Sequence, residues 1–332
     1  MEVFYSQYYE AFSCIAGACP DSCCKEWSVD VDPDAAAFYR GLGSALGDRL
    51  RAVLRDTEDG TVMEIENGRC PMWRQDGLCR IQAELGHDAL CKVCREFPRL
   101  THDYGNFVEL GLELSCPEAA RLILADGGSD LLCKTAAGGE EPEYDAEAME
   151  VLLRSRKVLL DFLSTTSLPF PQVLRATLLF AHGVQAELDG SKPAVLMPEA
   201  RVAGIAPCRD LRPLQDFFLS LEILTSQWKT RLEMPATAPV WEQRHFALLR
   251  YFVLRYWLQA LSDYDIACRA KFSVAACLLI GHLGGDLTET AQLFSKEIEN
   301  DPDNVEAILD GAYTSPALTD QYLLALLVEG SL

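Results

Sequence analysis

Nine of the thirteen cysteines fall within the first 116 residues: Cys14, Cys19, Cys23, Cys24, Cys70, Cys79, Cys91, Cys94 and Cys116. They run as Cys14-x4-Cys19-x3-Cys23-Cys24, then Cys70-x8-Cys79-x11-Cys91-x2-Cys94, with Cys116 alone. Four thiolates close a tetrahedral zinc site or hold an iron–sulfur cluster, since both metals favour soft sulfur. Closing the loop Lys25–Arg69 between the two clusters costs about 3–4 kcal/mol before constants. Structural metal binding contributes about 10–16 kcal/mol, so one site drawing on both clusters is accessible. Adjacent side chains diverge by about 100° in a helix and point to opposite faces in a strand. Cys23 and Cys24 therefore either split between ligation and packing, or serve two adjoining centres.

Zinc ribbons use paired C-x2-C knuckles, and only Cys91/Cys94 supplies one. Cys19, Cys70 and Cys116 each precede a proline, as one ligand does in bacterial ferredoxin runs. The spacing leans toward iron–sulfur, with zinc, or buried thiols without metal, as the alternatives. Cys133, Cys208, Cys268 and Cys277 lack thiol neighbours in the chain and are expected to be plain thiols. Other chemistry finds no support. Position 26, where a radical C-x3-C-x2-C triplet would need its third cysteine, is Glu26. Gly41, Gly43 and Gly47 lie in a helical pattern rather than after a strand, so they are no dinucleotide fingerprint. There is no P-loop, no Gly-x-Ser-x-Gly, and no H-x3-H pair among the five histidines. Catalytic and cofactor-binding residues are left unassigned.

Short elements must position the cysteines. Asp32 caps and Pro33 opens a helix expected over Ala35–Arg55, weakened by its glycines. Thr61–Glu66 alternates like a strand turned by Asn67-Gly68, and Ile81–Leu85 makes a turn or two of helix. Tyr104-Gly105-Asn106 turns a hairpin into the strand Phe107–Leu112, and Pro117 opens a helix through Leu124. Asp126–Tyr144, rich in glycine and acids, reads as a linker. Helical periodicity then marks Ala146–Leu163, Pro171–Leu188, Leu211–Leu232, Trp241–Leu261, Phe272–Leu283, Leu287–Ile298 and Pro316–Val328, with a loop at Asp189–Pro207. The expected fold is mainly α: an irregular cysteine-rich metal-binding N-terminal domain with short β elements (1–125), a linker (126–144), and an all-α helical domain (145–332).

With 49% hydrophobic and 24% charged residues, the 332-residue chain has globular composition. Its net charge of −21 would repel a phosphate backbone, so nucleic acid is not expected as a partner. The acidic, aromatic N-terminus is no signal peptide, and no run of eighteen apolar residues exists. The expectation is a cytoplasmic protein without a transmembrane segment. Peripheral membrane association and oligomeric state are left open.

At the cysteine clusters the chain resembles the flagellin lysine-N-methylase family, within a wider group that carries a cysteine-rich zinc- or iron-chelating domain. The matching segments are FSCIAGACPDSCCKEW (Phe12–Trp27), RCPMWRQDGLCRIQAELG (Arg69–Gly86), LCKVCREFPRL (Leu90–Leu100) and LSCPEAARL (Leu114–Leu122). LLRYFVLRYWLQAL (Leu248–Leu261) is similar to the family's helical second half. The resemblance implies a methyltransferase that acts on surface lysines of flagellin, or of another lysine-bearing protein, with S-adenosylmethionine as donor and a [4Fe–4S] cluster. By motif match the cluster's cysteines would be Cys14, Cys19, Cys23, Cys24, Cys70, Cys79 and Cys94. The rivals are a non-catalytic zinc-binding interaction module and an iron–sulfur redox protein. Trp27 is expected to shield the metal centre, and Arg95 and Arg99 to be solvated or structurally paired rather than to bind a carboxylate. Tyr251, Arg255 and Tyr256 are expected to be core packing with a snorkelling arginine.

Overall fold

The computed structural model describes residues 1–128, 130–191 and 204–328. Among these residues seven strands form two sheets: β1 (Glu2–Tyr5), β2 (Val29–Val31), β3 (Leu54–Thr57), β4 (Gly60–Met63), β5 (Arg99–Asp103), β6 (Phe107–Leu112) and β7 (Leu132–Thr135). The first sheet has the order β5-β6-β1-β7, with β1 parallel to β6 (Val3 opposite Val108) and antiparallel to β7 (Val3 opposite Lys134). The hairpin expected at Tyr104–Asn106 joins β5 to β6, with Gly105 in the left-handed region at φ +83°. The second sheet, β2-β4-β3, is small and antiparallel.

The stretch expected to be a linker instead contributes β7, and Glu140 N–H donates to Gly105 O at 3.0 Å. Its polar sequence hides this role because β7 is an exposed edge strand, held by backbone bonds and not by burial. The helix expected over Ala35–Arg55 is two, Pro33–Gly41 and Ala45–Val53. Ser44 caps the second through Gly47 N–H. A Cβ on Gly47 would lie 2.1 Å from Leu42 O, so glycine is required where the chain doubles back. The Asn67-Gly68 turn forms with both residues at positive φ, 53° and 73°.

Among the described residues two main hydrophobic cores result, beside a small cluster of Val3, Tyr5 and Val108 on the first sheet. The smaller unites Val29, Tyr39, Leu50, Met63, Met72, Ile81 and Leu90 with the buried Cys70 and Cys91. The larger belongs to the helices, and Tyr8, Phe12, Phe107, Leu114 and Ile123 share it. At its centre, helix Ile266–His282 is buried almost all round, as an apolar helix must be. Its small residues Ala270, Ala275 and Ala276 let helices Phe170–Leu188, Gln243–Tyr256 and Pro302–Thr314 approach.

Several expected helices shift. Leu211–Leu232 is interrupted between Arg212–Leu219 and Ser226–Glu233, because Asn304 and Glu297 capture the Glu222 and Leu224 amides. Trp241–Leu261 becomes Gln243–Tyr256 followed by a 3₁₀ stretch, Trp257–Leu261. Leu287–Phe294 runs into a π-helical turn at Ser295–Glu299. The helix Pro302–Thr314, capped by Asp301, is missing from the sequence reading. Most of the expected loop Asp189–Pro207 lies outside the described residues. No helix among the described residues is long and apolar enough to cross a membrane.

Candidate metal centre and adjoining cavity

All thirteen cysteines carry free thiols. The irregular chain brings eight of the nine N-terminal ones into two touching neighbourhoods, with Cys23 between them. In the first, Cys24 interacts with the side chains of Cys23 and Cys70, which favours its thiolate and pushes both partners up, while the Cys70 thiol donates to Met63 Sδ at 3.6 Å. Cys94 lies beside Cys91 in the same way, lowering Cys91 to about 7. Cys79 lies within electrostatic range of Cys24 and Cys91, and Cys94 within range of Cys23 and Cys24. In the second, Cys116, pushed up to about 11 by burial, lies within range of Cys14 and Cys19. Cys23 feels Cys14 and Cys116, so the adjacent pair faces both neighbourhoods.

Local structure explains these positions. Cys79, Cys91 and Cys116 are the N-cap residues of helices Arg80–Leu85, Lys92–Glu96 and Pro117–Leu124. Backbone amides of the first turns oppose desolvation at Cys79 and Cys116 by favouring the thiolate. Cys24 and Cys70 are tied by a backbone bond, Cys70 N–H to Cys24 O at 2.8 Å.

Among the described residues no group of three or more His, Cys, Asp or Glu side chains is drawn tightly enough to be a preformed ion site. The donor chemistry nonetheless fits a soft metal. Five thiols share the smaller core's edge, no disulfide consumes them, and their mutual repulsion on ionisation is relieved by a bound cation. Of the cysteines implied by the resemblance, Cys24, Cys70, Cys79 and Cys94 stand together, Cys14 and Cys19 lie on the Cys116 side, and Cys23 lies between. Cys91 and Cys116, counted in the sequence clusters but outside the set implied by the resemblance, lie in the same two neighbourhoods. Their place at helix N-caps, Cys116 before Pro117, was the available signal. Of the four later cysteines, Cys268 and Cys277 are buried, Cys208 is half-buried and Cys133 is exposed.

Cys23 and Cys94 also line a cavity of about 420 Å³ at the junction with the helices. Trp27 and Phe97 form one wall, their rings 6.3 Å apart at 54°. The indole N–H donates to Cys23 O at 3.1 Å, so Trp27 stands against the cysteine segment. Asp30, Glu113, Glu222, Glu297 and Asp301 supply the acidic lining. Burial pushes Glu113 above the usual carboxylate value, although Ser115 Oγ donates to it at 3.1 Å. Glu297 is pushed up by burial too, while accepting from Leu224 N–H and the Thr225 hydroxyl.

Lys296 joins the two halves. Its side chain is 2% exposed, and Nζ reaches Asp21 at 3.0 Å and Glu26 at 2.6 Å, residues that bracket Cys23 and Cys24. The ammonium lies 5.0 Å from the Trp27 ring. Burial works against ionised Asp21, but Lys25 and Lys296 hold it down at about 2. Gln292 adds bonds to Asp21 and to Ser115 O. The π-turn lets three successive charged positions serve different partners. Glu299, fully buried, accepts from Tyr251 Oη at 3.0 Å, Tyr256 Oη at 2.8 Å and Arg255 Nε at 3.0 Å. Arg255 therefore does not snorkel to solvent. It turns inward because Glu299, absent from the sequence-based picture, compensates its charge. Arg95 bonds Leu90 O, and Arg99 covers the Phe12 ring at 5.1 Å, both structural as expected.

Fold and site together define a helical protein with a cysteine-rich segment whose thiols open on an acid-walled chamber. No family profile matches the chain, and no solved structure does. Lysine-N-methylases of Salmonella choleraesuis and Salmonella typhimurium are 34% identical over 128 and 122 residues, 35% of this chain and 30% of theirs. The flagellar biosynthetic protein FliU of Salmonella muenchen is 34% identical over 122 residues, 35% of this chain and 72% of its own length. The chain belongs to the family of these lysine-N-methylases and FliU. The match spans less than a third of the lysine-N-methylases' length.

Proposed function

We propose that this protein is a protein-lysine N-methyltransferase that acts on flagellin, with S-adenosylmethionine as donor and a [4Fe–4S] cluster held by the N-terminal cysteines. The observation that carries this reading is that Cys23 and Cys94 open on the same cavity as Trp27 and a ring of carboxylates. The relatives' names, lysine-N-methylase and flagellar biosynthetic protein, support the reaction and the substrate. The cysteines that would hold the cluster are among Cys24, Cys70, Cys79, Cys91 and Cys94, with Cys14, Cys19 and Cys116 on the neighbouring side and Cys23 between. When bound, the cluster would supply a sulfur-ligated iron centre held by these cysteines.

The chain's own groups have two tasks. Asp30, Glu222 and Asp301 draw an ammonium side chain in by charge. Neutralising a solvated lysine at pH 7 costs about 4.6 kcal/mol, so the inner chamber must exclude water and accept the proton. Trp27 and Phe97 exclude water, and Glu113, deeper and hydrogen-bonded by Ser115, is the carboxylate aligned to take the proton. Transfer then forms a nitrogen–carbon bond as the donor's sulfur–carbon bond breaks, leaving S-adenosylhomocysteine.

The test is anaerobic purification with an absorption spectrum, followed by iron, zinc and sulfide analysis and mass spectrometry of flagellin incubated with protein and donor. A brown protein absorbing near 400 nm, with about four irons and four sulfides, and flagellin heavier by methyl increments are expected. A colourless zinc protein that leaves flagellin unmodified would replace this reading with the interaction module.

A further inference from the structure

Resting on the reading of this cavity as the transfer chamber, we infer that the corner formed by Trp27 and Phe97 binds a methyl-bearing onium cation, with affinity that rises with each methyl group. Two independent features converge. The first is aromatic: Trp27 presents its ring as a cation acceptor, because Lys296 Nζ already sits 5.0 Å from it, and Phe97 meets it at 54° to make a corner rather than a stack. The indole N–H is occupied by Cys23 O, which fixes the ring.

The second feature is charge. Lys296 is the one cation lining the cavity among the described residues, and Asp21 and Glu26 neutralise it from outside the lining. Glu297 is engaged by Leu224 and Thr225. Asp301 caps the following helix through the Asp303 and Asn304 amides, and Glu113 accepts from Ser115. Like Asp30 and Glu222, neither makes a salt bridge among the described residues, so their charge is not offset by a cation of the lining other than Lys296. The lining is thus anionic beside an aromatic corner. A bare ammonium loses strong hydration on entering such a corner. Each methyl group replaces an N–H by apolar surface, lowers that loss, and adds contact with the rings.

The ligand chemistry has two sources, the methylated lysine side chain and the sulfonium of the donor. If the lysine occupies the corner, the singly methylated product is held better than the substrate, and further methyl groups are added before release.

The experiment titrates the anaerobically purified full chain with lysine amide, its Nε-monomethyl and Nε-trimethyl forms, and tetramethylammonium, by calorimetry. Trimethyl-lysine amide and tetramethylammonium are expected to bind about tenfold more tightly than lysine amide, with the monomethyl form between. Trp27→Ala is expected to abolish the gradient. Phe97→Leu, which leaves the Trp27–Lys296 contact in place, is expected to reduce it about threefold, and Trp27→Phe to preserve most of it. Trimethyl-lysine amide displaced competitively by S-adenosylmethionine assigns the corner to the sulfonium. Simultaneous binding of the two assigns it to the lysine. Equal affinities across the methyl series, or a gradient unchanged in Phe97→Leu, overturn the inference. Methyl transfer to flagellin without an onium gradient would sink the corner alone. A gradient without transfer would sink the methylase reading alone.

Discussion

Replacing Lys296 with methionine tests how the helices hold the cysteine segment. The side chain is 2% exposed, and its two partners, Asp21 and Glu26, are 21% and 32% exposed. Removing one member of a buried ion pair costs about 3–5 kcal/mol, because the other charge is left uncompensated. Here the stranded carboxylates retain part of their water, and Asp21 keeps Lys25 at 2.9 Å, so the loss should be about 2–3 kcal/mol. Methionine preserves the stem's packing, which isolates the charge. Asp21 and Glu26 bracket Cys23 and Cys24, so the same substitution should loosen the thiol array. Urea unfolding of the anaerobic chain followed by circular dichroism reads the first effect, and iron retained per chain reads the second. Combining Lys296→Met with Asp21→Asn should be less damaging than the sum of the two, by about 1–2 kcal/mol. A stability within 0.5 kcal/mol of the parent, or strict additivity with Asp21→Asn, would refute the view of Lys296 as the junction's latch.

Tyr256→Phe removes one of the hydroxyls donated to the buried Glu299, and hydrogen bonds to charged groups are worth about 1.5–3 kcal/mol. A loss of about 2 kcal/mol in urea is expected, with Tyr251→Phe similar. Burial pushes His245 below the imidazole value of 6.5. Because the folded value is the lower one, its contribution to stability is present above the unfolded pKa and lost as pH falls through the folded pKa. His245→Gln keeps a side chain able to accept from Glu242 N–H, as His245 Nδ1 does at 3.1 Å, and should flatten the acid arm of a pH–stability curve. Cys24→Ser should lower iron per chain several-fold by elemental analysis while Cys277→Ser, in the helical core, leaves it unchanged.

Much of the candidate site was legible in the sequence, because thiol chemistry is local and spacing survives any fold. The clustering of the cysteines, the Asn67-Gly68 turn, the Tyr104–Asn106 hairpin and the helix opened by Pro117 all rest on residues whose preferences act within a few positions. So does the mainly helical character beyond Ala146, where apolar residues recur with helical period.

What the chain alone could not decide depends on partners distant in sequence. The polar segment 132–135 becomes β7 only because β1 offers it a free edge. Arg255 turns inward only because the π-turn brings Glu299 to it, and Lys296 becomes a latch only where Asp21 and Glu26 meet it. Read by period alone, Lys296, Glu297 and Glu299 are ordinary helical charges. Burial makes each require a partner, and only the tertiary structure names those partners and brings Cys23, Cys94, Trp27 and Glu113 to one cavity.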